Sequence, residues 1–455
     1  MALPADTATE TVEEQARLPL PTQVFGRHFY YGWYIVAVAF VSSMMSMGIT
    51  AYSMGVFLKP MTEDLGWSRT DISLGQTLTT FVTGVLGVAI GRRMDVRGGR
   101  ALMVGGAIIG GFGFIGLGQV QELWQYYLVR AGLVAVGSIG MGNLVVNVAL
   151  SNWFVRRRGR AISIGVMGTS VAALLLPTAA NWMIDAWGWR TAWAAIGVTV
   201  WLTVIPAALV AMRRRPEDFG LRPDGDGAPV AGAQVSARVA SDVRWTRQAA
   251  ARTPTLWMLV ATFGLASTGM GALLLHLIPY MTDAGFTRAQ AAGAFGMIGI
   301  SGLLSKPLWG IALDRFPIRR CAAAEFVLMA LGITLILASH TLAPLYGAIF
   351  TLGIGIGGVV TVQEVVWADF FGRLSLGTVR SLAQPFTIVS SAGGPVFAGF
   401  AYDRFGSYTT AFHLFTATYV AAAVLIMLTP TPRRPASADE PRLKPTYTPE
   451  APERP

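Results

Sequence analysis

The chain has 455 residues, 53% hydrophobic and only 13% charged, where a soluble chain carries about a quarter charged. So little polar surface excludes a water-soluble globular protein of this size and makes lipid the main solvent. The formal charge of +10 does not point to a nucleic-acid partner, because the arginines cluster in short loops between apolar runs rather than along one face. The single cysteine, Cys321, excludes an internal disulfide, and no two of the four histidines stand at ligand spacing, so no metal or other cofactor is expected.

Residues 1–30 are polar and lack the apolar region and cleavage site of a signal peptide, so the first apolar run is expected to remain as an uncleaved helix. Runs long enough to cross a bilayer, about 20 residues, fall near 33–58, 70–91, 101–120, 123–152, 160–184 and 190–211. After a polar stretch, a second set falls near 255–281, 289–313, 321–340, 344–368, 378–402 and 408–430. The expected fold class is therefore all-α and polytopic, with about twelve helices. Its parts are an N-terminal tail (1–30), a six-helix half (31–211), a central loop (212–254), a second six-helix half (255–430) and a Pro-rich tail (431–455).

Positive charge predicts the direction of the spans. Arg92, Arg93, Arg97 and Arg100 follow the second span, and Arg156, Arg157, Arg158 and Arg160 follow the fourth. Arg213, Arg214 and Arg215 open the central loop, and Arg315, Arg319 and Arg320 follow the eighth span. The intervening loops carry one or two basic residues each. Both tails and the central loop are thus expected on the cytoplasmic side, in a cell membrane. The single cysteine and the Ala/Arg/Gly-rich composition suit a bacterial inner membrane.

The two halves repeat one another. PMTEDLGWSR at 60–69 corresponds to PYMTDAGFTR at 279–288, an offset of 279 − 60 = 219 that also carries Gly66 to Gly285, Arg69 to Arg288 and Asp95 to Asp314. Pro177, Asp185 and Gly188 correspond to Pro395, Asp403 and Gly406 at 218. Six spans per repeat is an even number, so both halves share one orientation, and such repeats place a ligand site between them near the midplane.

The loop Gly91-Arg-Arg-Met-Asp95-Val-Arg97-Gly98-Gly99-Arg100 resembles the GxxxDRxGRR signature of the major facilitator superfamily, with Val96 and Gly99 departing from it. Gly310, Asp314 and Arg315 form its second copy. The resemblance implies a latch between transport states at Gly91, Asp95, Gly98, Arg100, Gly310, Asp314 and Arg315; the plainer reading is a positive-inside loop. Gly32-Trp33, GVF at 55–57, GWSR at 66–69, WFVRRRGRAISIG at 153–165, PEDFGLRPDG at 216–225 and HLIPYMTDAGF at 276–286 look more specifically like the monocarboxylate transporter and oxalate/formate antiporter branch.

A charge inside the bilayer costs about 2.5–3.5 kcal/mol or more and needs a reason. Lys306 stands within the eighth span, and its counterpart in the first half (306 − 219) is Gly87, so the fold does not demand a cation there. An anionic substrate would be its partner; the alternative is that Lys306 snorkels to the cytoplasmic interface. Its KPxxG segment is similar to the RPxxG of monocarboxylate transporters, whose arginine binds the substrate carboxylate. Lysine there loses bidentate recognition, and the family's acid one turn earlier is Gly302, which puts the usual proton-coupling pair in doubt.

Glu364 and Asn147, related by an offset of 217, are polar in both halves and are expected to face the central path. Glu364 is read as a partner for Lys306 when the site is empty, as a candidate for proton exchange, or as an inert vestibule charge. His276 stands where the first half has Phe57 and is read either as a proton carrier or as a structural hydrogen bonder. Arg130 resembles the arginine of the superfamily's second motif, either tying helices together or touching ligand, and Asn143 and Gln384 are further cavity candidates. GSIGMG at 137–142 and GIGIGG at 353–358 are small-residue stripes for close helix approach rather than nucleotide loops.

The reading that follows is a non-enzymatic secondary transporter of a small organic anion, a mono- or dicarboxylate, working by alternating access with proton symport or counter-exchange. An exporter of amphipathic compounds and a nontransporting sensor on the same fold are the alternatives.

Overall fold

The computed structural model describes residues 20, 23–24, 27–97, 99–154, 157–219, 221–225, 245–372 and 376–432. Apart from a two-residue hairpin, Gln23–Val24 with Arg27–His28, the described chain is built from helices. The first half holds α1 (Gly32–Leu65), α2 (Arg69–Arg97), α3 (Gly99–Leu117) and α4 (Leu123–Trp153). A continuous run, Arg158–Ala211, then turns at Gly188 (φ 78°, ψ 160°) into α5 before the turn and α6 after it. The second half holds α7 (Pro254–Asp283), α8 (Arg288–Arg315), α9 (Ile318–Leu337), α10 (Leu342–Phe371), α11 (Leu376–Phe405) and α12 (Thr409–Leu428).

Nine described helices are long and apolar enough to cross a membrane, and one of them, Gly159–Ala211, is the double-length run just divided. Of the two remaining long helices, α11 falls short of that criterion, and α2, part of which lies outside the described residues, carries a charge-free, largely apolar stretch at 72–89. Both are rich in Ser, Thr and Gln. They face each other across the midline of the molecule rather than lipid alone. Twelve crossings thus match the number expected from the apolar runs. The one difference is at 185–189, where no loop separates the fifth and sixth spans.

The repeat has a backbone meaning. Gly66 and Gly285 end α1 and α7 at φ 69° and 97°, and Gly188 and Gly406 turn the chain after the fifth and eleventh spans at φ 78° and 69°. Only glycine enters that region without steric cost, so these two pairs keep their place in each half. The helix starts are also specified locally. Thr253 accepts from Leu256 N ahead of Pro254 in α7, and Thr287 with Gln290 forms a capping box at α8.

Small residues let the helices of each half approach closely. A Cβ on Gly137 of α4 would stand 2.4 Å from Gly110 Cα and 2.9 Å from Gly106 O of α3. In the second stripe, Gly357 of α10 lies against Gly302 and Ser305 of α8, and Gly355 lies against Met329 of α9. Without a hydrophobic drive between helices in lipid, such backbone approach supplies the packing attraction.

Gly137→Val must therefore push backbone aside, an overpacking cost of about 1–3 kcal/mol. The expected result is a lower melting temperature and poorer monodispersity in detergent. Gly105→Ala, where a Cβ meets nothing within 4 Å, should leave both unchanged.

Candidate functional site

The two halves meet along two seams, α2 with α11 and α5 with α8, and at the tips of α1 and α7. At one face, the end away from the arginine-rich loops, these contacts are charged. Arg69 donates to both carboxylate oxygens of Asp283 at 2.5 and 3.1 Å and to the Tyr408 hydroxyl at 2.7 Å. Its guanidinium lies 3.5 Å from the centroid of the Tyr402 ring, a cation–π contact. Asp403 accepts from Arg69 N and Thr70 N at 3.2 and 2.9 Å, so an acid of α11 caps the first turn of α2 across the seam.

The same parts recur in the other seam with the halves exchanged. Arg288 donates to Asp185 at 2.9 Å. Arg288 and Asp185 are the repeat counterparts of Arg69 and Asp403. Beneath these pairs, His276 is fully buried between Ser73 Oγ, Tyr408 OH and the Pro395 carbonyl, each at 3.0 Å. The Ser73 contact crosses from α7 to α2, so His276 sits inside the closure. The described cross-half contacts of α2 and α11 include Arg69 and Thr70 with Asp403, Thr77 with Ala392 and Gly84 with Ile388, and further along α2 a Cβ on Gly87 would meet nothing within 4 Å.

Below the closure lies a cavity of about 420 Å³ between the halves. The first half contributes hydroxyls and an amide, including Ser46, Thr50, Gln76, Thr79 and Ser138. The second half contributes Phe263, Met270, Phe326 and Met329 together with Gln363 and one acid, Glu325. Two departures from regular α-helix shape the first-half wall, π-helical turns at Gly48–Tyr52 and Val129–Val134. Such turns commonly re-aim side chains at functional sites. The second carries Arg130, which is 0% exposed and donates to Gln76 Oε1 on α2. Its Nε and Nη1 have no hydrogen-bond partner among the described residues.

Lys306 is half-buried in the α5–α8 seam and donates to Ser170 Oγ of α5 at 2.9 Å. Ser170 also packs against Gly299 and Gly302, which precede Lys306 on α8. The ammonium therefore reaches back toward the closed end rather than on toward Arg315. It is not among the side chains that line the cavity.

The other candidates are dispersed. Glu364 pairs with Arg380 of its own half, and both are partly exposed. Asn147 has a buried side-chain oxygen without a partner among the described residues, and Gln384 is exposed. Gly310 faces open space, and Arg100, Asp314 and Arg315 are exposed. The side chains of Asn143, Gly91 and Asp95, and the whole of Gly98, lie outside the described residues.

Glu325 was not singled out by the sequence reading, because one acid near the start of an apolar run resembles an interfacial charge. A signal was nevertheless present: its repeat counterpart (325 − 219) is Gly106.

Neutralising Asp283 should loosen the closure. In a Cys321→Ala background, Ala51→Cys places a thiol in the cavity wall. Adding Asp283→Asn is expected to raise its labelling by an impermeant maleimide applied to the closed face, about tenfold for each 1.4 kcal/mol of closure lost. Unchanged labelling would mean that the pair does not hold the seam.

A profile of the Major Facilitator Superfamily matches residues 36–325 and 294–452. Among curated proteins, the chain is similar to human monocarboxylate transporter 11, 24% identical over 402 residues covering 84% of this chain and 80% of that one. It is also similar to mouse monocarboxylate transporter 12, 22% identical over 417 residues covering 87% and 85%. Among solved structures, a bacterial homologue of the human lysosomal transporter Spinster, in an inward-facing and unoccupied conformation, aligns with a TM-score of 0.61. That alignment is 15% identical and covers 88% of this chain and 95% of the other, a likeness of fold.

Proposed function

The chain belongs to the major facilitator superfamily, a multi-pass membrane transporter and no enzyme, and from that premise we propose that it carries a small organic anion. A mono- or dicarboxylate moves by alternating access, in symport with protons or in exchange for a second anion. The observation that carries this reading is the state of Lys306. Its ammonium offers three donors, yet among the described residues its hydrogen bond goes to a neutral hydroxyl and no carboxylate stands within ion-pair distance. An unpaired cation in a membrane seam is costly, and an anionic substrate supplies the missing charge.

Arg130 supports the same reading from the first half, with two donors unused behind Gln76. A volume of about 420 Å³ lies within the range of small-molecule sites. The hydroxyls of one wall and the apolar side chains of the other suit a polar head on a short apolar body. Lysine acts as a point charge, so recognition of the carboxylate does not require bidentate geometry.

With the arginine-rich loops on the cytoplasmic side, the Arg69–Asp283 and Arg288–Asp185 pairs close the outer face, and the cavity belongs to an inward-open carrier. Rocking the halves about the cavity would break those pairs and form others near Arg100 and Asp314. The exporter reading draws on Met270, Met329 and Phe263, an adaptable apolar wall. The two unpaired cations favour the anion.

The test is uptake of radiolabelled mono- and dicarboxylates into proteoliposomes, with and without an inward proton gradient. Loss of a charged hydrogen bond, about 1.5–3 kcal/mol, should weaken apparent affinity about 10- to 100-fold in Lys306→Ala, with partial retention in Lys306→Arg. Uptake by Lys306→Ala equal to wild type would remove Lys306 from the substrate path.

A further inference from the structure

Glu325 is the one acid among the residues that line the cavity. It is 2% exposed, and no hydrogen bond or ion pair to its carboxyl exists among the described residues. Its repeat counterpart is Gly106, and the correspondence holds in space. Gly113 of α3 packs on Leu133, and Gly332 of α9 packs on Leu352, each pair 219 apart. The architecture therefore builds this wall without an acid, as the first half demonstrates.

Among the described residues, the surroundings of Glu325 supply no counter-charge. Among the elements packed against α9, α12 presents Tyr419, which lies within electrostatic reach and whose buried hydroxyl has no partner among the described residues. His413 of the same helix is exposed. From α10 the cavity side offers Gln363, while Glu364 is paired with Arg380. The α8 cation, Lys306, is directed to Ser170. From α7 come Phe263 and Met270, and His276 is engaged in the closure. Arg130 stands in the opposite half, bound to Gln76.

An ionised carboxylate that is 2% exposed and has no donor among the described residues is expensive, whereas the neutral acid carries no such charge penalty. In the same confined volume a carboxylate would also repel an anionic substrate strongly, because the local dielectric is low. We propose that Glu325 is the proton-binding site of this transporter, holding one proton while the anion is bound and releasing it to water once the anion has left. The chemistry is one O–H bond formed on the carboxylate and later broken, with the proton exchanged with water. This assignment rests on the anion reading above and names the group that carries the proton.

Two measurements test it. The first is independent of substrate: infrared difference spectra of the purified protein in nanodiscs, recorded between acid and alkaline buffer. A protonated-carboxyl stretch that titrates in wild type should be missing from Glu325→Gln. Identical spectra would overturn the proposal.

The second uses the radiolabelled acids in proteoliposomes. Glu325→Gln fixes the neutral form, so gradient-driven accumulation should fall to the no-gradient level while exchange of the same acid across the membrane persists. Glu325→Asp, which still binds a proton, should retain part of the gradient response. Gradient-driven accumulation equal to wild type in Glu325→Gln overturns the proposal. So does loss of exchange in Glu325→Gln and Glu325→Asp while both remain monodisperse, which would make Glu325 a substrate contact instead. If wild type moves none of the acids, the carboxylate reading falls, and the infrared titration still decides the proton site.

Discussion

A charge held in hydrocarbon without a partner costs several kcal/mol, and the layout of this molecule follows from where that cost is avoided and where it is kept. At the closed face the charges are paired across the seams: Arg69 with Asp283, Arg288 with Asp185, and the first turn of α2 with Asp403. These groups lie near one membrane surface, where some water reaches them and where an ion pair can part and re-form. Deeper inside, Arg130, Lys306 and Glu325 lack a countercharge among the described residues. A binding site needs such incomplete groups, and a closure needs complete ones.

The repeat makes the distinction legible. Arg69 and Arg288 correspond at 219, and Asp185 and Asp403 correspond at 218, so the closure draws on equivalent residues in both seams. The pairing differs, however: the Arg288 guanidinium pairs with Asp185, while that of Arg69 pairs with Asp283 and Asp403 accepts from backbone N–H groups. The interior charges do the reverse. At the same 219 offset, Lys306 answers to Gly87, Glu325 to Gly106 and Arg130 to Ile349. Where the halves agree, the residue belongs to the shared architecture; where they disagree on a charge inside the membrane, the architecture alone does not account for it. One acid in the cavity wall, Glu325, and two cations outside its lining, Arg130 behind Gln76 and Lys306 in the α5–α8 seam, are the groups on which the proposed reading of an anion and a proton rests.

His276 illustrates why a titratable residue type is a poor guide by itself. Its imidazole replaces Phe57 of the first half, which suggested a switch. In the structure both ring nitrogens are engaged, with Ser73, Tyr408 and the Pro395 carbonyl, and it couples the packing of α7 to α2 at the closure. Glu325 gave no comparable alarm in the sequence, yet it is the side chain left facing the cavity without a donor.

Hydropathy, the placement of arginine and the internal repeat determined by themselves the class of the protein, its dozen crossings and its division into two similar halves. Each of those follows from bilayer thickness and from backbone groups that must be satisfied within the helix. The glycines at 66, 188, 285 and 406 were legible as repeat positions because a positive φ admits little else. Only the tertiary structure decided which polar residues share the cavity. Periodicity places a side chain on a face of its helix, but the crossing of α2 with α11 and of α5 with α8 decides what that face meets. Lys306 was recognised from sequence as an unpaired charge, but its partner Ser170 lies 136 residues away. The burial of Glu325 likewise depends on helices that the local sequence around it does not specify.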